Sequence, residues 1–158
     1  MLTITSVTNE SEELSIIREL FREYATELNE DLCFQSFGEE LANPLKKYAA
    51  PAGSLLLAYW KGEPAACIAL QPLPEKRIGE MKRLYVRPAF RSHGIGRELV
   101  QALLLEAKIK GYEKVVLDTL ERLQPAIKLY LQFGFVNTSA YYKNPLPSVV
   151  YMEKLLQE

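Results

Sequence analysis

One histidine, two cysteines and one tryptophan are all that this chain of 158 residues holds of its scarcest side chains. The thiols, Cys33 and Cys67, form no spaced framework, which excludes a disulfide-stapled scaffold. A lone imidazole beside them argues against a metal site, and the expected setting is a reducing cytoplasm. Charge of one sign is also lacking: 19 Lys and Arg stand against 20 Asp and Glu, a net charge of -1. Such a balance exerts no long-range pull on nucleic acid or on a membrane surface, so neither is expected as a partner. No apolar run approaches the ~20 residues that span a bilayer. The opening MLTITSVTNESEEL shows no basic flank leading into an apolar stretch.

What is there suits a single globular domain over 1–158, since 48% of its residues are apolar and 25% charged. LTITSV alternates as a half-buried strand does. Ser11 is placed to cap a helix whose apolar stripe runs through Leu14, Ile17, Phe21, Tyr24 and Leu28. A short helical stretch is expected around 38–48. SLLLAYW and PAACIAL, separated by Lys61-Gly62-Glu63, predict a hairpin. IGEMKRLYV is a third strand, followed by a helix through Ile95, Leu99, Ala102 and Leu103 that ends near Gly111. KVVLDTL is a strand, Ala126 to Phe133 a helix closed by Gly134, and FVNTSAYY and SVVYMEKL are final strands around the turn-rich KNPLP. Strand 114–120 follows its predecessor through a helix, so the two should run parallel. The order predicts a mixed α/β (α+β) domain, mostly antiparallel with one parallel pair.

The junction VRPAFRSHGIGREL leaves a strand, passes Arg87 and Arg91, and turns through two glycines into a helix carrying Arg97. A helix N-terminus leaves up to four N–H groups unpartnered and carries roughly +0.5 charge. Glycine lets a phosphate approach that backbone, and arginines suit its oxygens. The alternative is a plain turn with solvated arginines. A dinucleotide fingerprint, with Asp118 as the ribose acid, is disfavoured because Leu99 fills the third glycine position and the motif follows a hairpin. A P-loop is excluded, since no Gly-Lys-Ser/Thr follows.

Arg91-Ser-His-Gly94-Ile-Gly96 resembles the Arg/Gln-x-x-Gly-x-Gly/Ala motif of the GNAT superfamily of N-acetyltransferases. The strand GEMKRLYVRP and the helix PAIKLYLQFGF resemble the flanking family segments in order and spacing, so that the likeness covers roughly 78–136. It implies a GNAT-like domain with helices on both faces of a central sheet, and acetyl-CoA as cosubstrate. The pyrophosphate would lie among Arg91, Ser92, His93, Gly94, Ile95, Gly96 and Arg97. The pantetheine arm would pair with the main chain at Leu84 and Val86, with Tyr85 between them, because buried amides need partners.

A lysine-like acceptor, pKa ~10.4, must lose a proton before it attacks, and a departing thiolate of ~8.5 is helped by an acid. By resemblance Tyr130 would be that acid, and Glu80 is the candidate base. Their bland readings are a core aromatic beside Ile127 and Phe133, and a solvated strand-end residue paired with Lys82 or Arg77. His93 lies in the phosphate loop, away from where the thioester is expected. Relatives often carry Asn where this chain reads Leu123-Gln124-Pro125, so that role is not transferred to Gln124.

Acceptor-side residues are expected to be Phe34, Gln35, Phe37, Tyr141, Tyr142 and Asn144, which favour a small, moderately polar amine. A peptide amine is the wider alternative, and simple core cover the bland one. YYKNPLP is alternatively a packing segment for a homodimer. Two rival functions remain: a non-catalytic acyl-CoA-binding or sensing domain, and a dinucleotide-dependent oxidoreductase.

Overall fold

The computed structural model describes residues 1–75 and 77–156. β1 (Leu2–Ser6) leads to α1 (Glu12–Leu28), where Ser11 accepts the Leu14 N–H at 3.3 Å and the expected apolar stripe is buried apart from a half-buried Tyr24. A 3₁₀ turn (Cys33–Gln35) precedes α2 (Phe37–Ala42) and α3 (Leu45–Tyr48). The single helical stretch expected at 38–48 is thus two short helices, because Pro44 has no N–H to continue the first. β2 (Ser54–Trp60) and β3 (Glu63–Pro72) form the predicted hairpin. Its tip places Lys61 at φ +51 and Gly62 at φ +84, the doubly left-handed turn that matches strand twist. β4 (Ile78–Val86), α4 (Ile95–Ile109), β5 (Lys114–Leu120), α5 (Gln124–Gln132), β6 (Val136–Asn137) and β7 (Val149–Leu155) complete the chain.

The strands form one sheet in the order β1-β2-β3-β4-β5-β7-β6, antiparallel except for β4 and β5. FVNTSAYY is not a full strand: only Val136 and Asn137 pair, and 138–148 is a loop. β7 lies between β5 and β6, so the last hairpin folds back onto the parallel strand. One apolar cluster, with Ile68, Met81, Leu99, Leu103 and Phe135, lies under α4 and α5; another, with Ile17, Phe21, Leu57 and Cys67, lies under α1. No described helix is long and apolar enough to cross a membrane.

Two irregularities in β4 open and line a cleft in the sheet. In the first, Cys67 pairs with Tyr85 and Ala69 with Lys82, so Ile68 alone faces both Arg83 and Leu84. This β-bulge sets Arg83 at φ +61, an unusual conformation for a side chain with a Cβ. Lys82 and Arg83 consequently both project toward the α1 side, while Leu84 and Val86 pack on the α4 side. In the second, pairing of β4 with β5 covers only Ile78–Lys114, Gly79–Val115 and Glu80–Val116. Beyond that point the two strands part.

Candidate active site

The parting of β4 and β5 opens a cavity lined by Met81 to Leu84 from one strand and Leu117 to Leu120 from the other. Tyr130, on α5, and Tyr24, on α1, lie along it. Tyr130 is almost wholly buried, and its hydroxyl makes no protein hydrogen bond among the described residues. Burial pushes that hydroxyl's pKa well up, so it keeps its proton at neutral pH.

Beyond the cavity, a groove is lined by Val86, Arg91, Ser92, Gly94 to Arg97, Pro125, Lys128, Leu129 and Gln132. Gly94 caps α4 at φ +74. No N–H from Ser92 to Arg97 finds a backbone acceptor among the described residues. The glycine junction therefore presents a row of free donors at the positive end of a long helix. Arg91 reaches the groove but also holds Glu27 at 2.7 Å and the Val86 carbonyl at 2.9 Å. Arg97 donates to Gln132 and lies over Phe133. Arg87 departs from the expectation: Glu19, Glu23 and the Pro64 carbonyl hold it on the α1 side, away from the groove. The His93 ring stacks on Trp60 at 4.6 Å, leaving only its backbone in the loop. Tyr85 likewise sends its side chain to the α1 core and Glu23, so only its main chain faces the site.

On the α1 side of the same opening lies a second groove, lined by Phe34, Gln35, Lys47, Gln71, Glu80, Lys82, Tyr141 and Tyr142 among others. Gln35 and Lys82 line both this groove and the cavity between the strands, and so form the wall between them. Glu80 is not a solvated strand end. It is 3% exposed, accepts Gln71 Nε2 at 2.7 Å and the Tyr141 hydroxyl at 2.5 Å, and lies 3.6 Å from Lys82 Nζ. Asp118 lies 3.5 Å from the same ammonium and accepts from Tyr142 and from Asn144 Nδ2. Burial raises the Asp118 pKa, but the Lys82 charge and the two side-chain donors outweigh it and hold the carboxyl below its usual value. Burial first, then the neighbouring carboxylates, push the Tyr141 and Tyr142 hydroxyls far up.

Among the expected acceptor-side residues, Phe34, Gln35, Tyr141 and Tyr142 meet in this groove. Asn144 faces the inter-strand cavity, tied to Asp118. Phe37 does not line the groove; its ring covers the Arg83 guanidinium at 5.2 Å, because α2 starts directly above the bulge. Gln124 turns its amide back onto the Glu121 carbonyl and lines neither cavity nor groove of the cleft. In the YYKNPLP segment Tyr141, Tyr142 and Asn144 hydrogen-bond within their own chain, Lys143 is exposed, and Leu146 joins an apolar cluster. Asp118, bound to Lys82 and Asn144, is not a free ribose acid, and the sheet order is not that of a dinucleotide fold.

The sequence reading missed Lys82 and Asp118 as site residues, and also Gln71, Lys47 and Lys128. Lys128 was accessible: residues 125, 128, 129 and 132 share one helical face. Among the described residues no group of three His, Cys, Asp or Glu side chains gathers as a metal would require.

Residues 14–135 match the acetyltransferase (GNAT) family. An uncharacterized N-acetyltransferase of Schizosaccharomyces pombe is 44% identical over 142 residues, covering 89% of this chain and 87% of that one. An acetyltransferase of Streptococcus agalactiae superposes with a TM-score of 0.80 at 20% identity, over 98% of each chain. PaiA N-acetyltransferase of Thermoplasma acidophilum, solved in complex with coenzyme A, gives 0.73 at 18% identity over 99% of each chain. The structural likenesses show the fold, and the sequence matches show the family. With its parted parallel strands and glycine-opened helix, this chain belongs to the GNAT acetyltransferase family and is an N-acetyltransferase.

Proposed function

We propose that the enzyme moves an acetyl group from acetyl-CoA to a primary amine of a small molecule or peptide by direct transfer. The observation that carries this reading is the meeting of two features: the open edge of β4 beyond Glu80 reaches, at Val86, the groove that the free N–H groups of 92–97 line. The first suits an amide-bearing arm and the second a diphosphate. Leu84 and Val86 would hold the arm by main chain, with Tyr85 between them. Arg91, Ser92, His93, Gly94, Ile95, Gly96 and Arg97 would hold the diphosphate, largely through N–H groups.

Glu80 faces the acceptor groove and takes a proton from the acceptor ammonium, directly or through water. The freed amine attacks the acetyl carbon, making the C–N bond as the C–S bond breaks. Tyr130, protonated and without a protein partner among the described residues, gives a proton to the departing sulfur. The second amine proton restores Tyr130, and the proton on Glu80 passes to water. Cys67 is buried on the α1 side with its thiol donating to the Arg83 carbonyl at 3.4 Å, so the scheme uses no cysteine intermediate.

Calorimetric titration with acetyl-CoA and with NAD tests the reading, followed by CoA release against a panel of amines. Binding of acetyl-CoA but not NAD, with amine-dependent release, is expected. Binding of NAD alone overturns it, and acetyl-CoA binding with no release from any amine favours a sensing domain.

A further inference from the structure

We propose that the acceptor is an α-amino acid with an apolar or aromatic side chain, bound as its zwitterion with the carboxylate on Lys47 and the ammonium between Gln35 and Glu80. This rests on the acyl-transfer reading and names the acceptor that the second groove takes.

Two buried charge clusters meet at that groove, and each is unbalanced. In the first, the Glu40 carboxylate binds Arg83 at 2.8 and 3.0 Å and Lys47 at 3.1 Å, two cations on one anion. In the second, the Lys82 ammonium lies 3.6 Å from Glu80 and 3.5 Å from Asp118, two anions on one cation. A charge held out of water without a full partner is costly, so each cluster favours a ligand group of the opposite sign.

The geometry separates the two demands. In the cationic cluster Arg83 and Glu40 are sealed, at 1% and 0% side-chain exposure, whereas Lys47 is 24% exposed and lines the groove. An ammonium has three N–H donors. Lys47 gives one to the Gln35 carbonyl at 2.6 Å and one to Glu40, which leaves a third for a ligand. The anionic cluster reaches the groove at Glu80. In the same lining, Gln35 Oε1 is buried and accepts no hydrogen bond among the described residues, though its Nε2 donates to Tyr142. Gln35 is part of the wall shared with the thioester cavity, where an attacking amine must sit, and an ammonium there would give its buried carbonyl oxygen the partner it lacks.

The two clusters sum to zero net charge, so the groove as a whole suits a ligand that is neutral overall but charged at both ends. A polyamine would bring further positive charge against Lys47, and a dicarboxylate further negative charge against Glu80. Glu75, the remaining charged residue among the described lining, is exposed at the rim and screened by water. The Phe34, Tyr141 and Tyr142 rings supply apolar wall, and the groove holds about 320 Å³, room for about ten waters and so for one apolar or aromatic amino acid.

The experiment is acetyl-CoA-dependent CoA release from phenylalanine, leucine and methionine, each beside its own carboxamide and its decarboxylated amine. The free acids should exceed their amides and amines in kcat/KM by about tenfold or more, the worth of one charge-assisted hydrogen bond. In K47M that preference should collapse through a raised KM for the acids. Wild-type enzyme that binds acetyl-CoA yet acetylates the acids no faster than their amides overturns the inference, as does an undiminished preference in K47M. Failure to bind acetyl-CoA at all would instead overturn the parent reading, and this one with it.

Discussion

Arg83 and Glu40 form a two-bond ion pair, at 2.8 and 3.0 Å, at the residue where β4 bulges away from the sheet. The pair fastens the bulge to α2, and the Tyr24 and Phe37 rings lie against the guanidinium at 5.5 and 5.2 Å. Removing one member of a buried pair strands the other's charge. E40Q should therefore lose about 3 kcal/mol or more in urea unfolding, while E40L/R83M should lose less than the two single variants combined. An E40Q protein within about 0.5 kcal/mol of wild type would show that the pair does not anchor the bulge.

The same carboxylate sets a pH dependence. Burial raises the Glu40 pKa, but hydrogen bonds and charge from Arg83 and Lys47 outweigh it, and the net shift is downward, as at Asp118. A carboxyl lowered on folding adds stability above its unfolded pKa, and that stability is lost as pH falls through the folded value. Unfolding free energy should thus change little above about pH 5 and drop below about pH 4. Denaturant titrations across that range should show a shallower acid loss in E40Q. A loss of equal steepness would place the acid sensitivity at other carboxylates.

The glycine-opened helix start was legible because its signal is local: glycine, helix start and strand end lie within fourteen consecutive residues. The cleft beside it was not. Alternation along IGEMKRLYV puts Glu80, Lys82 and Leu84 on one face, but the bulge inserts a residue at Arg83 and sends Leu84 to the other. Nothing in nine residues announces that shift, and the carboxylate that holds the bulged Arg83 lies 43 positions away on α2. Arg87 misled for a similar reason. Its charge suits a phosphate, yet its partner is Glu23, 64 residues earlier. Asp118 entered only as the acid of a disfavoured dinucleotide reading, because Lys82, Tyr142 and Asn144 could not be placed beside it from sequence.

The two loop glycines should separate conformation from access. Gly94 lies at φ +74 with nothing within 4 Å of an added Cβ, so only the backbone objects. G94A should lose about 1–2 kcal/mol of stability. Gly96 lies in the first turn of α4, where a Cβ would touch Leu129 Cδ2 and Val86 Cγ2 at an ordinary 3.7 Å. G96A should gain about 0.5–1 kcal/mol from a stiffer unfolded chain. The added methyl nevertheless narrows the groove where the free N–H groups lie. Thermal melts should move in opposite directions for the two variants, while calorimetry shows weaker acetyl-CoA binding in both. Undiminished binding in G96A would place the diphosphate elsewhere.

Tyr130 and Glu80 differ in what their removal costs the fold, which lets chemistry be told from structure. The Tyr130 hydroxyl has no protein partner among the described residues, so Y130F deletes an acid without orphaning a neighbour. It should leave the melting temperature and acetyl-CoA affinity unchanged and lower kcat by about 10²-fold, the scale of one lost proton donor. Glu80 accepts from Gln71 and Tyr141 and lies beside Lys82, so E80Q disturbs three partners. E80Q should therefore cost stability as well as turnover. The distinguishing readout is pH: a faster deprotonated acceptor at high pH should recover part of the E80Q rate, because a base is dispensable once the amine is already free. The same change in pH should not rescue Y130F, whose missing proton is needed at the sulfur. Recovery of Y130F at high pH, with none in E80Q, would exchange the two assignments.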